Sequence, residues 1–281
     1  MNDHPKLAAK TYEEFLERFE LEVPAGYNFA YDFLDETART NPTRPAMVHV
    51  DPSGVRRDYD MAFFSRESSR LAAALGNLGI ARGDRVMLIL SRRVEYWVSM
   101  LALHKLGAVV VPAPALLTAK DIEYRANRAH LAGMICEDSV AARVEAARPG
   151  SPTLRVLVGV SSGGDVALPA GWHDYAAITA AAPETFTPPQ PRPGGDDALL
   201  IYFTSGTTGM PKMVEHTHGY PMGHYTTGIH WHDLLPGDLH LTLADTGWGK
   251  AAWGKLYGQW MAGAVTMVWD FRGKFEPEAL L

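Results

Sequence analysis

RVMLILSRRVEYWVSMLALHKLGAVVV, Arg85–Val111, is the stretch that decides the fold. Arg85–Leu90 is a short, unbroken apolar run after the Arg82–Gly83–Asp84 turn. Such a run reads as a strand buried on both faces, the mark of a parallel sheet. Val94–Leu106 carries Trp97, Val98, Met100, Leu101 and Leu103 nearly all round and stops at Gly107, which predicts a helix packed inside the protein. Ala108–Val111 then returns as a second strand. Two strands joined through a helix imply a right-handed crossover and a helix-covered sheet.

Working outward, the alternation continues in both directions. Thr118–Ala129 predicts a helix opened by the Thr118 side chain, Gly133–Glu137 a strand, and Leu154–Val160 and Ala198–Phe203 two more. Upstream, Phe29, Phe33, Leu34 and Thr37 stand at helical spacing over Asn28–Arg39, ahead of the Asn41–Pro42 stop. Ala46–Val50 and Val55–Tyr59 flank Pro52–Ser53–Gly54 as a hairpin. Asp60 then opens a helix with Phe64, Leu71, Leu75 and Leu78 on its apolar face, closed at Gly79. Ser161–Asp197, with Gly163–Gly164 and prolines 183, 188, 189, 191 and 193, reads as a proline-rich loop, its alternative being a domain boundary. Gly249–Ala262 predicts one helix with Trp253, Leu256, Tyr257 and Trp260 on one side, and Ala264–Trp269 a strand. At Phe275–Leu281 a helix entry is expected, with Pro277 at its first position. One turn of helix does not hold itself together, so truncation at Leu281 is expected. The fold class is therefore α/β with parallel-rich sheets covered by helices.

Nearly half of the 281 residues are apolar and 10% are aromatic, enough to build a core. The net charge of -6 argues against a protein that works by neutralising nucleic-acid phosphates. The single cysteine, Cys136, rules out an internal disulfide, fits a reducing compartment, and sits in an apolar stretch where packing is the expected role. Residues 1–10 show no signal-peptide pattern, and no run has the roughly 20 apolar residues needed to cross a bilayer, so the cytoplasm is the expected location.

The segment that carries chemistry is Thr204-Ser205-Gly206-Thr207-Thr208-Gly209-Met210-Pro211-Lys212, directly after the strand Leu199–Phe203. Glycines let backbone amides approach a phosphate, hydroxyls add donors, and a lysine adds charge for a polyphosphate. The common P-loop is excluded, because it needs glycine before the lysine and Ser or Thr after it, where this chain has Pro211 and Met213.

Thr204–Lys212, with Val214 and His216-Thr217-His218 behind it, resembles the phosphate-loop signature of the adenylate-forming superfamily. Asn28–Tyr31 and Ala244-Asp245-Thr246-Gly247-Trp248 look most like medium-chain acyl-CoA synthetases, with acetyl-CoA synthetases next. The resemblance implies that residues 1–281 form an incomplete N-terminal large domain. It implies a two-step ligation in which a carboxylate attacks the α-phosphate of Mg-ATP, and coenzyme A then displaces AMP from the acyl-adenylate. Thr204, Ser205, Gly206, Thr207, Thr208 and Gly209 would cradle the phosphates, Lys212 would neutralise the departing pyrophosphate, and Trp248 would line the acyl pocket, its alternative being a plain core ring. The implied cofactors are ATP, Mg2+ and coenzyme A, and the implied partner is a small carboxylic acid, medium-chain or aromatic. The family's magnesium-binding glutamate, ribose-binding aspartate and C-terminal adenylation lysine have no counterpart in the chain. A non-catalytic remnant that at most binds nucleotide is the competing class.

Other candidates have plainer readings. His216, His218, His224, His230 and His232, with Asp233, fit no standard zinc spacing and read as packing or polar support. Lys250 and Lys255 read as solvated lysines, and Glu95 as a charge at a helix start.

Overall fold

The computed structural model describes residues 11–163, 167–205 and 209–271, together with Gly273 and Glu278. Gly206, Thr207 and Thr208, and the helix entry expected at Phe275–Leu281 apart from Glu278, lie outside the described residues. Helix α1 (Tyr12–Arg18) begins at Thr11, whose hydroxyl accepts from the Glu14 amide. The single helix expected over residues 28–39 comes in two windings, a π-helix over Phe29–Asp35 and then α2 (Glu36–Thr40). The wider winding buries Phe29, Ala30, Phe33 and Leu34 together, with the Phe29 and Phe33 rings stacked at 4.9 Å.

β1 (Pro45–Val50) and β2 (Arg56–Asp60) form the expected hairpin, and Asp60 caps α3 (Met61–Asn77) by accepting from the Phe63 amide. β3 (Arg85–Ile89), α4 (Val94–Leu106) and β4 (Val109–Pro112) follow as read from the sequence. α5 (Ala119–Ala129) opens with a full capping box between Thr118 and Asp121. β5 (Leu131–Glu137) leads into α6 (Asp138–Ala147), a helix the sequence reading missed. Its buried side is Val140, Ala141, Val144 and Ala147, a helical spacing written in small residues.

After β6 (Val156–Val160), the proline-rich segment is more ordered than a loop: it contains β7 (His173–Asp174) and α7 (Tyr175–Ala181). Its remainder straps back over the chain entry, with Arg192 bridging Asp32 at 2.8 Å and Arg82 bridging Asp197 at 2.6 Å. β8 (Ala198–Thr204) and β9 (Lys212–Thr217) pair antiparallel, and α8 (Tyr220–Thr226) and β10 (Leu239–Leu241) follow. The helix expected over Gly249–Ala262 is broken into α9 (Gly249–Lys255) and α10 (Tyr257–Met261), and β11 (Val265–Trp269) closes the described chain.

The strands form two sheets. The larger runs β7-β6-β5-β3-β4-β8-β9, parallel throughout except for the edge strand β9. Its two faces hold separate cores: Val86, Leu88 and Leu90 of the β3 segment point to one, Met87 and Ile89 to the other. The first core is shared with α3, α4 and α10, the second with α5 and α6. This double burial is why these strands read as unbroken apolar runs. The smaller sheet runs β10-β11-β1-β2, with β1 parallel to β11.

Candidate active site

β8 is buried from Leu199 to Tyr202, and its burial delivers Thr204 and Ser205 to the C-terminal edge of the large sheet. In open α/β sheets that edge is where ligands sit. Thr204 stands directly across from Lys212 in the antiparallel β8–β9 register, so Lys212 begins the edge strand beside the end of β8. The sequence did not show this, because Lys212–Thr217 is an exposed edge strand with no strong alternation. Gly209 sits at φ 113°, a backbone region that side chains avoid. The hairpin is moored by α5: the Tyr124 hydroxyl donates to the Pro211 carbonyl at 3.0 Å, and the Arg125 guanidinium lies 5.3 Å from the Phe203 ring centre. Lys212 is exposed to solvent.

A second loop, Ala244–Trp248, reaches the same edge. The Thr246 hydroxyl donates to the Leu90 carbonyl at the end of β3. Gly247 lies against the chain leaving β4, where an added methyl would sit 2.1 Å from the Pro114 nitrogen and 2.3 Å from the Ala113 carbonyl carbon. Only glycine permits that approach. Trp248 follows at the start of α9 and is 64% exposed, so it is no core ring. The neighbouring loop is held by Arg143, which donates to the carbonyls of Ala115 at 2.8 Å and Leu117 at 2.7 Å, and it presents Leu116 to solvent. The ends of β3, β4 and β8 thus bring Thr204, Ser205, Lys212 and Trp248 to one edge, through loops the sequence pattern alone did not relate.

Behind the hairpin lies a layer of half-buried aromatic and imidazole rings. His216 lies 4.3 Å from the Tyr220 ring, His224 4.4 Å from Tyr220, and His232 4.6 Å from His240. His218 is fully buried, and desolvation pulls it down to about 4, with Asp197 opposing the shift. His224 is also drawn down to about 4, by burial first and then by His216 and His232. Ring packing accounts for these histidines. Among the described residues no group of three His, Cys, Asp or Glu side chains converges as a metal-binding set.

Two lysines separate here. Lys250 is exposed as expected, but Lys255 is 1% exposed, which overturns its reading as a solvated charge. Its Nζ donates to the Ala244 carbonyl at 2.6 Å, and the break between α9 and α10 turns it into the core. Cys136 is fully buried, and desolvation raises its thiol. Glu95 takes its place in the first turn of α4, 3.5 Å from Arg93.

A mostly parallel, helix-covered sheet with Thr204, Ser205 and Lys212 at its C-terminal edge defines the class, an α/β protein. The family model described as AMP-binding enzyme matches residues 34–281, and the chain belongs to that family. The mouse mitochondrial acyl-coenzyme A synthetase ACSM5 is 36% identical over 253 residues, covering 88% of this chain and 43% of that protein. The Pongo abelii mitochondrial acyl-coenzyme A synthetase ACSM3 is 32% identical over 277 residues, covering 96% of this chain and 46% of that protein. Among solved structures, an acetoacetyl-CoA synthetase from Streptomyces lividans superposes with a TM-score of 0.76 at 26% identity, covering 88% of this chain and 38% of that one. The chain spans less than half the length of these relatives. Among the described residues no helix is long and apolar enough to cross a membrane.

Proposed function

We propose that this chain provides the ATP side of a carboxylic acid–CoA ligation, in which an acyl-adenylate forms with release of pyrophosphate and coenzyme A then displaces AMP. The observation that carries the reading is the Thr204–Lys212 hairpin at the C-terminal edge of the large sheet. Donors fixed before the substrate arrives stabilise charge that develops on a phosphate far better than mobile water does. Thr204, Ser205, Gly206, Thr207, Thr208 and Gly209 are assigned to the phosphates, and Lys212 to the charge on departing pyrophosphate. Magnesium enters this reading with ATP, and no residue of the chain is assigned to hold it.

Trp248 is assigned to the wall of the acyl pocket: an exposed ring at the mouth of a site is apolar surface waiting for a cover. A medium-chain or aromatic acid is the proposed substrate, following the resemblance of Asn28–Tyr31 and Ala244–Trp248 to medium-chain acyl-CoA synthetases. Residues 1–281 are proposed as the first part of the larger catalytic domain, with the rest of the active site supplied by sequence outside it. A reducing compartment fits the lone buried Cys136, and the mitochondrial relatives make a mitochondrial location as consistent with it as the cytoplasm.

ATP–pyrophosphate exchange with a panel of carboxylates tests the reading on the 281-residue chain, on its Lys212→Ala variant, and on a version carried on through the downstream reading frame. The extended protein is expected to exchange, and Lys212→Ala in that protein to lower the rate by about a hundredfold, the usual scale for one preorganised group on developing charge. Silence from every version favours the remnant that at most binds nucleotide.

A further inference from the structure

Lys255 is the buried charge that the proposed chemistry leaves unused. It is the last residue of α9, and its ammonium is shut away from water. Removing an ammonium from water costs several kcal/mol unless good partners hold it, so an unexplained buried lysine asks for a reason. Desolvation draws Lys255 down to about 7, Arg92 adds to the shift, and Asp245 opposes it. Its held partner is a backbone carbonyl, Ala244 O at 2.6 Å.

Ala244 begins the loop that carries Trp248, and the chain between Leu241 and Gly249 pairs with no strand. The helix that Trp248 starts therefore reaches back, through its last residue, to grip the loop in front of Trp248. With the Thr246 tie to Leu90 and the seat of Gly247 on Ala113–Pro114, the grip on Ala244 completes three anchors. An apolar residue at 255 would leave the Ala244 carbonyl without this donor. The charged surroundings are few. Arg92 stacks its guanidinium 4.0 Å from the Phe271 ring centre on one side, and Asp245 lies in the loop itself. From α4 comes Tyr96, whose hydroxyl also feels Asp245. His240 is linked to α9 through Thr242, which donates to Gly254 O at 2.9 Å. β11 offers only the neutral Thr266.

We propose that Lys255 is a positioning residue for the site: by holding the Ala244 carbonyl from inside the core, it sets where Trp248 stands at the mouth. The functional part of this claim rests on the assignment of Trp248 to the acyl pocket. The mechanical part does not. A charged donor makes the stronger hydrogen bond, so the grip weakens as the ammonium loses its proton.

The test is hydrogen–deuterium exchange followed by mass spectrometry, which needs no substrate and stands even if the ligase reading fails. Lys255→Met keeps an unbranched apolar side chain one atom shorter and removes the donor. Exchange in residues 245–249 is expected to rise by about tenfold or more, the scale of one lost hydrogen bond to a charged group, while residues 86–89 of β3 keep native protection. A folded Lys255→Met protein with native exchange in residues 245–249 overturns the proposal. Should that variant fail to fold, the native protein decides. With rates corrected for their intrinsic pH dependence, opening of residues 245–249 is expected to increase between about pH 6 and about pH 8.5, and a flat profile overturns the proposal.

Discussion

His224 shows how the layer behind the β8–β9 hairpin was built. Its ring lies 4.4 Å from Tyr220 and is stacked 6.5 Å from both Trp253 and Tyr257, and neither ring nitrogen has a hydrogen-bond partner. The imidazole is used as a flat apolar plate, and burial holds it neutral down to about 4. The unfolded chain takes up the proton near 6.5, so between those values the unfolded state binds more protons and stability falls as pH falls. His224→Phe keeps the plate and removes the titration. Relative to the native protein its unfolding free energy, from urea titration, is expected to gain on the order of 1–2 kcal/mol on going from pH 7.5 to pH 5. An equal offset at both pH values would show that His224 does not carry the acid sensitivity.

At the scale of elements, the break between α9 and α10 has a cause in hydrogen bonding. In one continuous helix the Lys255 carbonyl would accept from the amide four residues on. Here it accepts instead from the Trp97 indole Nε1 at 3.0 Å and from the Thr266 hydroxyl at 3.3 Å, and Leu256 takes φ -142° and ψ -82°. A buried indole and a buried hydroxyl on other elements claim the acceptor, and the helix turns aside to meet them. Trp97→Phe removes the stronger donor and some volume, and is expected to cost about 2–4 kcal/mol by urea unfolding. Thr266→Val, nearly isosteric on a strand, is expected to cost under about 1 kcal/mol. The reverse ranking would place the cause of the break elsewhere.

For the whole molecule, the parallel pair of β1 and β11 joins the first strand of the chain to its last described one, Met47 opposite Thr266 and Val50 opposite Trp269. The large sheet has its own chain of pairings and does not include this contact. A version ended at Gly263 is therefore expected to lose exchange protection in residues 47–50 while residues 86–89 and 133–137 keep theirs. Loss in both sheets together would mean that the two unfold as one cooperative unit.

The sequence by itself determined the large sheet and most of its helices. Arg85–Leu90 and Ala198–Phe203 are apolar without alternation because both their faces are covered, and that demand is written locally in the residues. The caps at Asp60 and Thr118 were equally legible, because a side-chain oxygen meets the free amides of its own helix. The segment Thr204–Lys212 was distinctive in composition, but its pairing was not legible: the strand Lys212–Thr217 is exposed and takes its shape from β8. Helix α6 escaped notice because its buried side is mostly alanine and valine, a faint apolar stripe. The fate of Lys255 was set by contacts between elements far apart in the chain. Two lysines in like local sequence, at 250 and 255, end in water and in the core. Their difference comes from Trp97 and Thr266, distant in sequence from the break they impose, and from the Ala244 carbonyl that the turned lysine meets.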